Sequence, residues 1–155
     1  MQIDNINDGL RNRVFEFFYW FSRFESALKE RGFLKSKKVE ARAEPDWECF
    51  INIYEDQYVL SEVGTSLIDQ DPKLQVVGQH GLKFVKVGYK KQPSELRKVV
   101  TLLKTVRNNL FHGGKYGDMG WDNPDRVLLL LGLSIYVLNE LADLGDFGPD
   151  YTRFY

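Results

Sequence analysis

The chain has 155 residues, 43% hydrophobic and 14% aromatic, which predicts one domain with a buried core and excludes a disordered chain. Its formal net charge of −1 excludes nucleic-acid binding through bulk positive charge. The single cysteine, Cys49, excludes an internal disulfide and suits a reducing compartment. The most apolar run, residues 14–24, is too short and too charged to span a bilayer, so we expect a cytoplasmic protein without a membrane span.

The first predicted helix covers residues 8–31 and stops at Gly32. Its apolar face recurs at helical spacing and comprises Val14, Phe17, Phe18, Phe21, Phe24 and Leu28. Phe15, Tyr19 and Trp20 fall outside this face, so apolar side chains cover more than half of the circumference. We therefore expect this helix to be covered on two sides, at the centre of a bundle or at a subunit contact.

The second predicted helix covers residues 46–59. Pro45 fits its first position, and Asp46 and Glu48 complement its positive N-terminal end. Its predicted buried face comprises Trp47, Ile51, Tyr54 and Tyr58. The stretch from Glu44 to Asp71 contains eight acids and no bases, and Gly64 is expected to break it into two helical pieces.

Residues 75–88 change from a helical to a β pattern and predict a hairpin with a four-residue turn at residues 78–81. His80 lies in this turn. No acid or cysteine accompanies it in the sequence, so we interpret it as structural rather than catalytic.

The third long helix is predicted over residues 94–112, with Ser94 as its N-cap and Glu95 in the first turn. Gly113 fits the left-handed backbone conformation that ends a helix. Six apolar residues form its buried face: Leu96, Val99, Val100, Leu103, Val106 and Leu110. The polar residues of this helix, described below, are the candidates for a functional site.

The last core helix is predicted over residues 124–144, with Asn123 as cap and Pro124 at its first position. The tail, residues 146–155, is expected to be irregular and to lie along the surface. Together these elements predict a mainly α single domain over residues 1–155, an antiparallel four-helix bundle with a small β-hairpin insertion.

Arg107 interrupts the pattern of the third helix because it falls on or beside the apolar stripe, where a charge is costly. A polar row at helical spacing comprises Thr101, Thr105, Asn108 and His112. Asn108 and His112 lie one turn apart and are predicted to be able to hydrogen-bond. The structural alternative is that Arg107 packs its stem while its head reaches water, and that His112 meets helix-end carbonyls.

The spacing Arg107-Asn108-x3-His112, near the end of an inner helix and followed by Gly113-Gly114, resembles the signature of the HEPN superfamily. These are small helical-bundle proteins marked by an Arg–polar–x3–His motif. The resemblance implies a metal-independent endoribonuclease that acts as a toxin or defence effector, without a cofactor. It also implies a homodimer that brings two copies of the motif together, with Arg107, Asn108 and His112 as catalytic residues.

Metal-free RNA cleavage needs a base for the 2′-hydroxyl proton, an acid for the leaving 5′-oxygen and a cation for the pentavalent phosphate. Histidine, the residue type at position 112, is the usual general acid or base, and the guanidinium of Arg107 matches phosphate oxygens. Asn108 is expected to hold the imidazole or to contact the backbone. One histidine does not easily serve both proton transfers, so a symmetric dimer with two imidazoles makes chemical sense.

Positive charge is concentrated around this motif. Residues 82–115 contain nine bases and one acid, Glu95. A local basic strip can hold a phosphate backbone even in a near-neutral protein. The residues assigned to RNA binding are Arg97, Lys98, Lys104 and Lys115. The lysines of the hairpin are equally well explained as a solvated face.

Two alternatives stay open. One is a non-catalytic HEPN module that binds a nucleotide or a protein partner. The other is a toxin controlled by a nucleotidyltransferase antitoxin, which in such pairs modifies a tyrosine two residues beyond the histidine. Here Gly114 occupies that position and Tyr116 follows two residues later, which disfavours this alternative.

Phosphate-binding glycine loops and a nucleophile elbow are absent from the sequence, and one cysteine with two distant histidines argues against zinc.

Overall fold

The computed structural model describes residues 7–89, 92–111 and 123–152. These residues are mainly helical and include one small two-stranded antiparallel sheet. The elements in chain order are α1 (Asp8–Glu30), α2 (Trp47–Tyr54), α3 (Glu62–Asp69), β1 (Leu74–Gly78), β2 (Gly81–Val85), α4 (Glu95–Phe111), α5 (Pro124–Leu144) and α6 (Gly148–Thr152).

The termini of the long helices are set by the residues that the sequence predicts. The side chain of Asn123 accepts from the backbone N–H groups of Asp125 and Arg126 at the start of α5. Ser94 Oγ accepts from Arg97 N at 3.3 Å at the start of α4. Gly32 follows α1 with a φ of 80°, a conformation that favours glycine. The predictions for these three helices are therefore confirmed to within about two residues.

The core lies where α5 packs against α1, α3 and α4. It is rich in aromatic rings, and the fully buried Phe24 of α1 contacts rings from α2 and the C-terminal segment. The expectation that residues 14–24 are the most apolar run is wrong, because α5 is by length and composition apolar enough to cross a membrane, and half of that apolar stretch is buried inside the protein. The core helix of a soluble protein passes the same test.

The second predicted helix is shorter than expected. It begins at Trp47, not at Pro45. Asp46 is its N-cap, with a side chain that accepts from Cys49 N at 3.0 Å, and Pro45 pairs with Leu34 in an isolated bridge. The helix ends at Tyr54, and Gly64 lies inside α3 instead of dividing two pieces. A Cβ on Gly64 would approach a methyl carbon of Leu60 to 2.8 Å, so this glycine allows close packing rather than a break.

The C-terminal tail is partly helical instead of irregular. Phe147 and Tyr151 are buried, and Tyr151 Oη donates to Asn139 on α5 at 2.9 Å. The buried side chain of Arg23 donates to the backbone carbonyls of Asp150 and Tyr151. These contacts attach α6 to α1, which explains why so short a segment is ordered against the core. Residues 153–155 lie outside the described part of the chain.

The predicted hairpin is confirmed as the β1–β2 pair, but Gly78 pairs with Gly81, so two residues, Gln79 and His80, connect the strands instead of four. A buried asparagine that the sequence analysis left without a role attaches it to α4. Asn109 Nδ2 donates to the carbonyl of Lys73, immediately before β1, at 2.8 Å. The hairpin is therefore anchored to the last two turns of the helix that carries the motif.

Candidate functional site

Arg107 lies on the last two turns of α4, beside the buried face of the helix. That face packs as predicted, with Leu103 and Val106 fully buried, whereas Arg107 is only half-buried. Its guanidinium lies over two aromatic rings, 5.7 Å from the centre of Phe21 and 5.4 Å from the centre of Phe111. These cation–π contacts hold the charge at the protein surface without burying it.

Asn108 is exposed and supports Arg107. Its Oδ1 accepts a hydrogen bond from the Arg107 guanidinium at 3.0 Å. The sequence predicts a hydrogen bond between Asn108 and the imidazole of His112, but His112 lies outside the described residues, as do Gly113, Gly114 and Lys115. The described part of the motif therefore presents Asn108 as the partner of the arginine.

The polar row on α4 has a local explanation for two of its members. Thr101 Oγ1 donates to the carbonyl of Arg97 at 2.7 Å, and Thr105 Oγ1 donates to the carbonyl of Thr101 at 2.8 Å. Threonines often satisfy their hydroxyls in this way within a helix. Thr101 and Thr105 are thus structural residues of α4. Of the described polar residues singled out on this helix, Arg107 and Asn108 remain candidates for a functional site.

Two adjoining concavities meet at Arg107. The smaller is a pocket of about 140 Å³ between α1 and α4, lined by Phe18, Phe21, Ser22, Glu25, Arg107 and Phe111. The larger is a groove of about 440 Å³ that extends over the loop before α2. Glu25 and Arg107 line both. We refer to them below as the aromatic pocket and the groove.

The groove has mixed charge, and most of its charges are compensated. The Lys35 ammonium lies 2.9 Å from the Glu44 carboxylate, and the resulting hydrogen bond lowers the pKa of Glu44. Lys104 also lines the groove. Among the described residues neither Lys104 nor Arg107 forms an ion pair with an acid. These two uncompensated cations, one turn apart on α4, are available to an anionic ligand.

The other residues assigned to RNA binding are placed less favourably. Arg97 lies 2.5 Å from Glu48 and also donates to Asn52, at 3.1 Å. Lys98 lies 2.6 Å from Glu95 on its own helix. A phosphate would have to compete with these acids, so of the assigned residues that the structure describes, Lys104 is the one without such a partner.

The residues that surround Arg107 are not apparent from the sequence. Glu25 is 82 positions away, and its Oε1 accepts from Trp47 Nε1 at 3.0 Å. Phe18 was predicted to face the core, but it is 49% exposed and lies against Phe111, with ring centres 5.5 Å apart. Only the packing of α1 against α4 brings these side chains together, and no local sequence pattern signals it.

Within residues 7–89, 92–111 and 123–152, no group of three or more histidine, cysteine, aspartate or glutamate side chains is placed to hold a metal ion. Comparisons of the chain with models of protein families, with curated proteins and with solved structures gave no match.

Proposed function

We propose that this protein is a metal-independent endoribonuclease of the HEPN type that acts as a toxin or defence effector in the cytoplasm. The observation that carries the proposal is the placement of Arg107. A guanidinium without an acidic partner among the described residues lies where two concavities meet, and Asn108 and two aromatic rings hold it there.

In this proposal Arg107 binds the non-bridging oxygens of the scissile phosphate and stabilises the extra charge of the pentavalent state. Asn108 is a positioning residue that orients the guanidinium through the 3.0 Å hydrogen bond. His112, which follows the last residue of α4 in the sequence, takes the proton of the 2′-hydroxyl or supplies a proton to the leaving 5′-oxygen. The products would be a 2′,3′-cyclic phosphate and a 5′-hydroxyl, and Lys104 would contact the neighbouring phosphate.

We also propose that α1, the α2–α3 pair, α4 and α5 form a four-helix bundle within each subunit. Two such subunits would form a homodimer. Two proton transfers call for two imidazoles, which a two-fold axis can supply. The exposed rings of Phe15 and Tyr19 on α1 support a subunit contact, since they are 67% and 38% accessible. Light scattering at micromolar concentration should give twice the mass of the chain, and a monomer would contradict the composite site.

A non-catalytic binding module is the second candidate, and one observation favours it. The cation–π contacts of Arg107 with Phe21 and Phe111 give this arginine a packing role that does not require catalysis. Regulation by a nucleotidyltransferase antitoxin would be compatible with either candidate. The two candidates differ in whether the purified protein cuts RNA.

The deciding experiment incubates the purified protein with structured RNA in the presence of EDTA. We expect the wild type to cut the RNA and His112→Ala to lose cleavage, because the variant lacks the proton-transfer group. His80→Ala is the matched control, since it removes the only other histidine, which lies in the β1–β2 turn. Equal cleavage by wild type and His112→Ala would refute the catalytic proposal and point to a contaminating nuclease.

A further inference from the structure

The aromatic pocket adjoins Arg107 and has the dimensions of a site for a single ring system. Its volume of about 140 Å³ is below the range of roughly 300–1,000 Å³ that is usual for a whole small-molecule ligand. The rings of Phe18 and Phe111 line it, and they are 49% and 45% exposed although they touch each other. Exposed aromatic rings beside a cation are the usual platform for an unstacked base of single-stranded RNA.

Glu25 supplies a fixed hydrogen-bond acceptor in this pocket. Trp47 Nε1 donates to its Oε1 at 3.0 Å and so restricts the rotation of the carboxylate. No hydrogen bond from the described residues to its Oε2 is found, and the side chain is only partly buried. An ionised carboxylate accepts hydrogen bonds and donates none, so it favours a ligand edge that carries donors.

We propose that the aromatic pocket binds one guanine base of the RNA strand and that Glu25 selects it. Guanine presents two adjacent donors, N1–H and the 2-amino group, which a carboxylate can accept together. Uracil presents a single N–H between two carbonyl oxygens, which a carboxylate repels. Adenine and cytosine each present one amino group next to a ring nitrogen that is itself an acceptor.

Arg107 connects this base pocket to the proposed chemistry, and in this respect the inference rests on the proposed function. The guanidinium lines the same pocket as Glu25 and has no acidic partner among the described residues, so a phosphate attached to the bound nucleotide can meet it. The base would thus be held on one side of the phosphate that Arg107 binds. Guanine selection would then place the cut next to a guanosine.

The test measures binding with strands that cannot be cut. Dye-labelled 2′-O-methyl pentanucleotides carry a central guanine, inosine or uracil between uridines, and fluorescence anisotropy in EDTA gives each Kd. We expect the wild type to bind the guanine strand about tenfold more tightly than the uracil strand. Inosine, which lacks the 2-amino group but keeps N1–H, should fall between them. Equal binding of guanine and uracil would overturn the proposal.

Glu25→Gln should remove the preference for guanine, because the amide loses one acceptor and can still accept from Trp47. Glu30→Gln is the matched control: it makes the same change of charge on an exposed residue of α1 and should keep the preference. Phe18→Leu, which keeps the apolar volume but removes the ring, should weaken binding of the guanine strand several-fold. A guanine preference that survives Glu25→Gln would refute the role of Glu25.

The binding assay separates this inference from the endoribonuclease proposal, because its strands cannot be cut. It can also be repeated with His112→Ala, which is expected to lose cleavage but to keep the base pocket. If the wild type does not cut RNA but the guanine preference depends on Glu25, the base pocket stands and the catalytic proposal fails. If the wild type cuts RNA without any preference among bases, the catalytic proposal stands and the base pocket is refuted.

Discussion

Replacement of Arg107 tests whether this side chain serves the reaction or the fold. Arg107→Ala removes the contacts with the rings of Phe21 and Phe111 and the hydrogen bond to Asn108. A cation–π contact at a partly exposed position is worth about 0.5–1 kcal/mol, and an exposed hydrogen bond about as much. These contacts share one guanidinium and are not additive, so we expect a loss of about 1–2 kcal/mol in the free energy of unfolding.

For a chain of this length, such a loss lowers the melting temperature by about 2–8 °C. The two ring contacts that contribute to this loss are not visible in the sequence. RNA cleavage at a temperature well below the transition should fall by about a hundredfold or more, as for removal of a transition-state donor. Calorimetry and initial rates of RNA cleavage measure the two effects separately.

Arg107→Lys sharpens this test, since it keeps a positive charge near the rings but removes the planar fork of donors. We expect most of the stability to return and most of the activity to stay lost. Arg31→Ala is the matched control, because Arg31 also lies over a ring, that of Phe147, and donates to Asp150 and the carbonyl of Asp146. It should lose similar stability and keep cleavage. Full activity of Arg107→Lys, or inactivity of Arg31→Ala, would refute this reasoning.

Two further predictions concern stability. Asn109→Ala leaves the carbonyl of Lys73 without its donor, so we expect a loss of about 1–3 kcal/mol in urea unfolding and faster amide exchange in the β1–β2 hairpin; unchanged exchange would contradict the anchoring role. Burial raises the pKa of Tyr58 to about 12. The folded state therefore favours the neutral phenol, and the stability that Tyr58 contributes is complete below about pH 10 and is lost as the pH rises towards 12. Tyr58→Phe should remove this part of the alkaline loss. It should destabilise the protein little at pH 7, since the geometry gives the buried hydroxyl no well-formed hydrogen bond to the described residues. Identical pH profiles for both proteins would refute this.

The long helices could be predicted from the sequence because their signals are local. Asn123-Pro124 begins α5, Ser94 caps α4, and Gly32 follows α1, each through contacts within one turn of the chain. The errors arise where tertiary contacts decide. Gly64 reads as a helix break but permits close packing against Leu60, which is visible only when the chain is folded.

The C-terminal tail shows the same limit. Its Gly148-Pro149 pair predicts irregular structure, yet Phe147 and Tyr151 reach the core and Arg23 holds the backbone. The residues of the candidate site also differ in whether the sequence reveals them. Arg107 could be singled out because it interrupts an apolar stripe, whereas Glu25 looks like any helical acid until Trp47 is seen to fix its carboxylate.

We propose that the chain cleaves RNA by attack of the 2′-hydroxyl next to a phosphate held by Arg107. The most direct test maps a cleavage site in EDTA and then replaces the single ribose that lies 5′ to that phosphate with deoxyribose. We predict that cleavage at this position disappears while cleavage of the unmodified RNA yields 2′,3′-cyclic phosphate ends. Continued cutting at the deoxyribose, or products with a 5′-phosphate, would contradict the claim.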